Sequence, residues 1–599
     1  MPPLSTLRRS AATFTKANRP DILLHLVNRR TIAVALALLL AAAPGVTALS
    51  FWDDIPDNQL IDQLIEAMSS EEMVAQTFMV GWLGERPSVE LLAWLQDRNV
   101  GGVKVFGWNG GNLVALAESI GVMQRAAAQT HFGIPLFTAT DQEGGWVRHI
   151  KGSDPLSTTI TPGNMAIGAT TLPYDAYRTA YHIGLELRAL GVNMNFAPTV
   201  DVYVNPEAHV IGPRAFSDDP VASGLLGVAY FHGLEEARVI ATAKHFPGHG
   251  NASGDSHGIL PVINDSFDVL WQRDLVPYRF LIAEGLPAVL SGHLNFPQVT
   301  GDGRPASLSP YFKQTILRDK LGFQGIVMTD DLYMGGAWQY GAEHGWGMPG
   351  IVVEALRAGN DMVMLSTTPA VNGEIWDAVL SEFDTDPDFR TKVTQAVRRI
   401  LRIKLRYLKN DDRVPLNPDP ALLPQRIRTD GETDFFRDQA GRSVTLIHGG
   451  GLPYAPRQDE RILLAGKDRD FLRIGSDFFP NADGFRIEFP LFDYAADRDR
   501  ARFREIIADY DTVIFCLSDP NSLEVLKEAA ESEVRVIVLS ILTPIYLLET
   551  PWVESAVAVY GWGEESFRAG FSVIVGAMEA EGRLPISFDH PAAMPGGIP

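Results

Sequence analysis

Eight short apolar, β-rich runs separated by helix-like stretches constrain this chain more than any other feature. They are "VAQTFMVGW" from residue 74, "GGVKVFGWN" from 101, "PLFTATDQEGG" from 135 and "GVNMNFAPTVDVY" from 191. "VIATAKHFPGHG" from 239, "LPAVLSGHLNFP" from 286, "QGIVMTDDLYMGG" from 324 and "GNDMVMLST" from 359 follow. Stretches such as "SVELLAWLQDRN" and "GIVVEALRAG" carry a helical apolar period between them. Strands alternating with helices build a parallel sheet covered by helices, and eight such units predict a (β/α)8 barrel of the TIM type over residues 55–410. That fold places its chemistry at the C-terminal strand ends. Here those ends carry Asp141, Asp201, Lys244, His245, His293, Asp330 and Asp361.

A chain of 599 residues is too long for one compact core. Residues 411–432 are rich in proline and charge and read as a linker. Beyond them "SVTLIHGG", "RILLAGKD", "FRIEFP", "TVIFCLS", "VRVIVLS" and "AVAVYGW" alternate with helical stretches. They predict a smaller doubly wound α/β sandwich domain over residues 433–590, its strands apolar and buried on both faces. It has no GxGxxG or P-loop, so nucleotide binding finds no support. A net charge of −22 argues against a nucleic-acid partner. At the other end Arg29 and Arg30 precede an apolar run, Ile32 to Ala43, and the small-residue site Val46-Thr47-Ala48. The run is shorter than the roughly 20 residues that span a bilayer, so residues 1–48 read as a signal peptide, with an uncleaved anchor as the alternative. The expectation is an exported protein, periplasmic or extracellular, with no stable membrane span after cleavage. The single cysteine, Cys516, lies in an apolar run and reads as a small buried hydrophobe.

The segment "KHFPGHGNASGDSHGILP", Lys244 to Pro261, holds three histidines, a lysine and an aspartate. His245 and His249 have a spacing that suits zinc on a helix, but Pro247 and Gly248 break any helix there and no HExxH glutamate is present. The GKS/T signature is absent, which argues against a nucleoside triphosphate and leaves a sugar or free phosphate open. Proton transfer remains: Asp255 two residues before His257 fixes an imidazole tautomer and raises its basicity. Alone, such a tripeptide is weak. Its place after a barrel strand, beside Lys244-His245 and with a carboxylate at Asp330, strengthens it.

"KHFPGHG" followed by "DSH" resembles the glycoside hydrolase family 3 β-N-acetylhexosaminidases of the NagZ type, in their two-domain form. "DQEGG", "PGNMAIGAT", "NFAPTVDVYVNP", "VIGPRAFSDDP", "GFQGIVMTDDLYMGG", "AGNDMVML" and the C-terminal "GRLPISF" are similar to family segments in the same order. The resemblance implies Asp330 as nucleophile, His257 as acid/base on a mobile loop and Asp255 as its partner. It implies Asp141, Arg214, Lys244 and His245 as holders of sugar hydroxyls, with Asp331 in support. His293 is set beside them, open between sugar contact and a place behind the site, and His249 reads as a loop-shaping residue. Trp108 and Trp146 are open between stacking on sugar and packing. The chain departs from the family at Trp146, where arginine commonly follows "EGG", and at Asn251-Ala252, which leaves the outer subsite undefined.

The implied activity is a retaining exo-β-N-acetylglucosaminidase acting on terminal GlcNAc of peptidoglycan fragments or chitooligosaccharides, with no metal and no cofactor. The alternatives are a β-glucosidase or broad β-hexosaminidase, or a GlcNAc phosphorylase, of the same family. A non-catalytic glycan-binding scaffold is opposed by the intact Asp330 and His257. Oligomeric state has no signature in the sequence.

Overall fold

The computed structural model describes residues 49–488 and 497–587. The signal-peptide expectation falls on residues 1–48 and lies outside them. Eight parallel strands close a barrel: β1 Phe78–Gly81, β2 Gly102–Val105, β3 Phe137–Thr140, β4 Met194–Asn195, β5 Ile240–Phe246, β6 Ala288–Ser291, β7 Ile326–Asp331 and β8 Met362–Leu365. Each pairs with the next in chain order, and β8 returns to β1 through Phe78 opposite Val363. Seven of the eight are buried along their whole length, and β7 is buried up to its last two residues, as strands covered on both faces must be.

Met79, Phe137, Met194, Ile240, Ala288, Ile326 and Met362, at or near the starts of their strands, form one core with Ile400, Ile403, Tyr407 and Leu408. These last four belong to the closing helix Pro387–Leu408, which therefore seals the N-terminal end of the barrel and leaves the C-terminal end open for chemistry. The fourth strand is shorter than its apolar run. Pro198 has no amide to give to a ladder, and beyond Asn195 the pairing with β5 continues irregularly, through the Thr242 amide on the Ala197 carbonyl and a bridge from Thr199 to Lys244.

The second domain is a six-stranded sheet: β9 Thr445–Gly449, β10 Ile462–Gly466, β11 Asp483–Arg486, β12 Thr512–Leu517, β13 Arg535–Ile541 and β14 Ser555–Tyr560, in the spatial order β9-β14-β13-β12-β10-β11. All pairs are parallel except β9 with β14. The two edge strands depart from the fully buried expectation. Leu446 on β9 is exposed, and on β11 only Phe485 is buried. One sheet face packs on helices Asp430–Ser443, Arg469–Phe478 and Glu564–Ile574. The other shares a single core with barrel residues Met165, Ala166, Ala208, Ile211 and Ala215. Cys516 is buried in the first of these cores.

Candidate active site

The strand ends at the open mouth bring the charged residues together. From β3, Asp141 accepts from both Lys104 on β2 and Lys244 on β5, in two very short ion pairs. Two residues on, Glu143 takes Lys244 at 2.5 Å and receives Nε and Nη2 of Arg214 at 2.9 and 2.8 Å. Arg214 also donates Nη1 to the Val210 carbonyl at 3.0 Å, and its Nη2 lies 3.0 Å from His245 Nε2. Arginine can only donate, so His245 Nε2 accepts and its Nδ1 carries the proton to Asp201 Oδ2 at 2.7 Å. Burial works against ionisation of Asp141, but Lys104, Lys244 and His149 outweigh it and hold the carboxyl well below its usual range. The same contest, won by Arg214 and Lys244, brings Glu143 down to about 2. Lys244 is held above its ordinary value by Asp141 and Glu143 in spite of burial, whereas burial of Lys104 outweighs its pairing with Asp141.

This network decides what remains for a ligand. Arg214 spends four of its five N–H groups and Lys244 two of its three inside the protein. The Asp141 side chain, 17% exposed, is the more open member, against 2% for Lys244 and 9% for Arg214. His293 is fully buried. Its Nδ1 meets Ser307 Oγ at 2.7 Å and its Nε2 the Asp331 carbonyl at 2.9 Å, so both ring nitrogens are spent and it stands behind the site.

Asp330 and Asp331 end β7. Burial opposes ionisation of Asp330, but the imidazoles of His245, His293 and His257 and the Asp331 amide hold its carboxyl below the usual range. Asp331 goes the other way: burial raises it, and its Oδ1 is committed to the amides of Tyr333 at 3.2 Å and Ser366 at 2.9 Å. One carboxylate is an open anion and its neighbour braces the turn. Asp255 Oδ1 accepts from His257 Nδ1 at 2.6 Å and from the His257 amide at 2.9 Å. That bond lifts the His257 imidazole above its ordinary value, with Asp330 contributing. Both side chains of the pair are open to solvent. His249 lies deeper, with its amide on Asp201 Oδ1 at 2.7 Å and Nε2 3.3 Å from Ser256 Oγ.

Trp108 stacks on Phe106 with ring centroids 4.6 Å apart and donates to the Trp82 carbonyl at 2.7 Å, its outer face exposed. Trp146 lines a cavity beside Arg214 with Asn164 and with Leu542, Tyr560 and Trp562 of the second domain. Trp146 Nε1 and Asn164 Oδ1 are buried there without a hydrogen-bond partner among the described residues.

Lys104, Glu143 and His149 were not legible as site residues in the sequence, and Asp201 was only one of several strand-end carboxylates. The available signal was Lys104, a lysine in the middle of the apolar strand "GVKV". A cation there has to meet carboxylates, since an unpaired buried charge is too costly to keep.

A barrel whose strand ends hold a depressed carboxylate near a His–Asp pair, beside a wall of paired charges, belongs to a class of barrel enzymes that act on polar substrates. Residues 63–403 match the family described as Glycosyl hydrolase family 3 N terminal domain, and the chain belongs to that family. It is 37% identical over 290 residues to a beta-hexosaminidase A of Pseudoalteromonas piscicida, covering 46% of this chain and 47% of that protein. The chain therefore spans about half the length of that relative. It is 37% identical over 301 residues to a beta-hexosaminidase of Thiobacillus denitrificans, covering 49% of this chain and 77% of that protein. Among solved structures, a glycoside hydrolase family 3 beta-N-acetylglucosaminidase from Paenibacillus sp. str. FPU-7 aligns with a TM-score of 0.76 at 27% identity, over 87% of this chain and 99% of that one.

Proposed function

We propose that the protein is a retaining exo-β-N-acetylglucosaminidase that removes terminal β-linked GlcNAc from peptidoglycan fragments or chitooligosaccharides. The observation that carries the reading is an Asp330 carboxyl held below its usual range, with His257 among the charges that act on it, together with a His257 imidazole whose Nδ1 is committed to Asp255. That commitment leaves Nε2 to face the substrate. Asp330 attacks the anomeric carbon while the bond to the leaving oxygen breaks and His257 Nε2 gives that oxygen its proton. A covalent glycosyl-aspartate results. His257, now neutral, takes a proton from water, whose oxygen attacks the same carbon and expels Asp330, so configuration is retained. Asp141, with the remaining N–H groups of Lys244 and Arg214, receives the sugar hydroxyls, where charged partners discriminate hydroxyl positions strongly. The names of the aligned relatives support the amino-sugar assignment. The basic-apolar-small pattern of residues 29–48 supports export to the periplasm or medium.

The test compares nitrophenyl β-GlcNAc with nitrophenyl β-glucoside, with and without phosphate. GlcNAc release with retained configuration and no sugar 1-phosphate is expected. Equal or faster glucoside cleavage sinks the GlcNAc assignment, and a sugar 1-phosphate product makes the protein a phosphorylase.

A further inference from the structure

We infer that Gly335 and Gly336, on the turn after the nucleophile strand, form a backbone clamp that positions His257 for proton transfer. The inference rests on the roles proposed above for Asp330 and His257. A glycine-rich loop reads in the sequence as a free hinge, yet here the segment is docked. The His257 carbonyl accepts from the Gly335 amide at 2.9 Å, and the Ser256 carbonyl from the Gly336 amide at 3.0 Å. These amides open the helix Gly335–Glu343 and belong to the first turn, whose N–H groups find no partner within a helix. The proton-carrying loop supplies the missing acceptors. Ser256, only 4% exposed between its two open neighbours, is the residue that turns inward, with Oγ 3.3 Å from His249 Nε2. Through the His249 amide this contact reaches Asp201 and so His245. The loop is therefore fixed to the nucleophile's own turn on one side and to the sugar-side imidazole network on the other.

Glycine is required at the clamp by space. A Cβ on Gly335 would stand 2.4 Å from the Gly258 carbonyl oxygen and 2.9 Å from that of His257. One on Gly336 would stand 2.8 Å from His293 Cβ. The atoms that Gly335 would strike are backbone, so a methyl there must push the dyad loop away from Asp330. Alanine is no worse a helix former than glycine, so the damage is confined to the contact. Gly335 and Gly336 touch no substrate; they are positioning residues.

The decisive substitution is Gly335→Ala, read on aryl β-GlcNAc glycosides. A displaced acid slows departure of a poor leaving group and spares a good one. We expect kcat/KM for the phenyl glycoside to fall about tenfold or more, and for the 2,4-dinitrophenyl glycoside by less than about twofold. Gly347→Ala, where a methyl meets nothing closer than 3.5 Å, should change neither. Equal losses on both glycosides, or no loss, in a folded Gly335→Ala protein overturn the clamp. Amide hydrogen exchange on the unaltered protein decides the point independently of substrate. Protection at Gly335 and Gly336 supports docking, and exchange at the rate of an open loop overturns it. Failure of the native enzyme to release GlcNAc would sink the substrate assignment alone.

Discussion

Asp330 and Asp331 are neighbours in sequence and opposites in chemistry. The carboxyl of the first is held below its usual range in spite of burial, and the second is raised by burial and spent on two backbone amides. Asp330→Asn should therefore lower kcat by on the order of 10³-fold or more without unfolding the protein, measured by turnover and thermal melting. Asp331→Asn is expected to loosen the turn and cost less activity. His257 must be protonated to act as acid, and its imidazole is raised above 6.5, so kcat/KM should hold through neutral pH and fall as pH rises through that shifted value. The acid limb should lie below 3.8, where Asp330 gains its proton. Asp255→Asn removes the charge behind the bond that raises His257 and should move the alkaline limb to lower pH; a pH–rate profile with an unmoved limb would refute that coupling. At this scale the candidate residues were legible through the order of family-like segments around "TDD" and "DSH", since either tripeptide alone is a weak signal. Lys104 and Glu143 were not, because a buried charge is intelligible only with partners from other strands in place.

Helix Pro173–Leu190 ties the barrel to the second domain. Asp175 pairs with Arg442 at 2.7 Å, Thr179 accepts from Gln439 at 2.9 Å and His182 lies 3.4 Å from Glu432. Between these helices Glu186 is buried, accepting from Thr159 and from the Arg428 amide, and burial with the Glu432 charge raises it from 4.5 to about 7. A carboxyl raised in the folded state contributes stability that is fully present below its unfolded value and is lost as pH rises through the folded one. The melting temperature should thus fall between about pH 4.5 and 7, a loss on the order of 1–3 kcal/mol, and Glu186→Gln should flatten that slope. A slope identical in the two proteins would refute the assignment. Elements were legible where the apolar run was long, as in β5. They were overcalled at β4, where Pro198 denies the ladder, and at the edges β9 and β11, whose runs lack a covering neighbour.

At the scale of the molecule the two domains are joined by a common core. Met165 and Ile211 from the barrel pack with Phe485, Phe515, Val538 and Tyr546 of the sheet, and Arg583 and Pro585 return to bond Ala169 and Ser217. Met165→Ala should cost about 2–5 kcal/mol and lower one shared calorimetric transition rather than split it in two. Two separate transitions would show that the domains fold independently. The same packing puts Leu542, Tyr560 and Trp562 beside Arg214, so the second domain lines the margin of the site.

The order of apolar runs was enough to determine the barrel and the α/β second domain, while the "DSH" and "TDD" motifs, through their family resemblance, nominated the acid, its partner and the nucleophile. Those depend on hydrophobic period and on short segments in a fixed order, which a chain states in its sequence. The pairing of Lys104 and Lys244 across Asp141, the spent nitrogens of His293, the docking of the "DSH" loop on Gly335 and Gly336 and the shared interdomain core were decided only by the tertiary structure. Each is a contact between residues distant in sequence, and its energy comes from burial and partner geometry that exist only after the strands have closed.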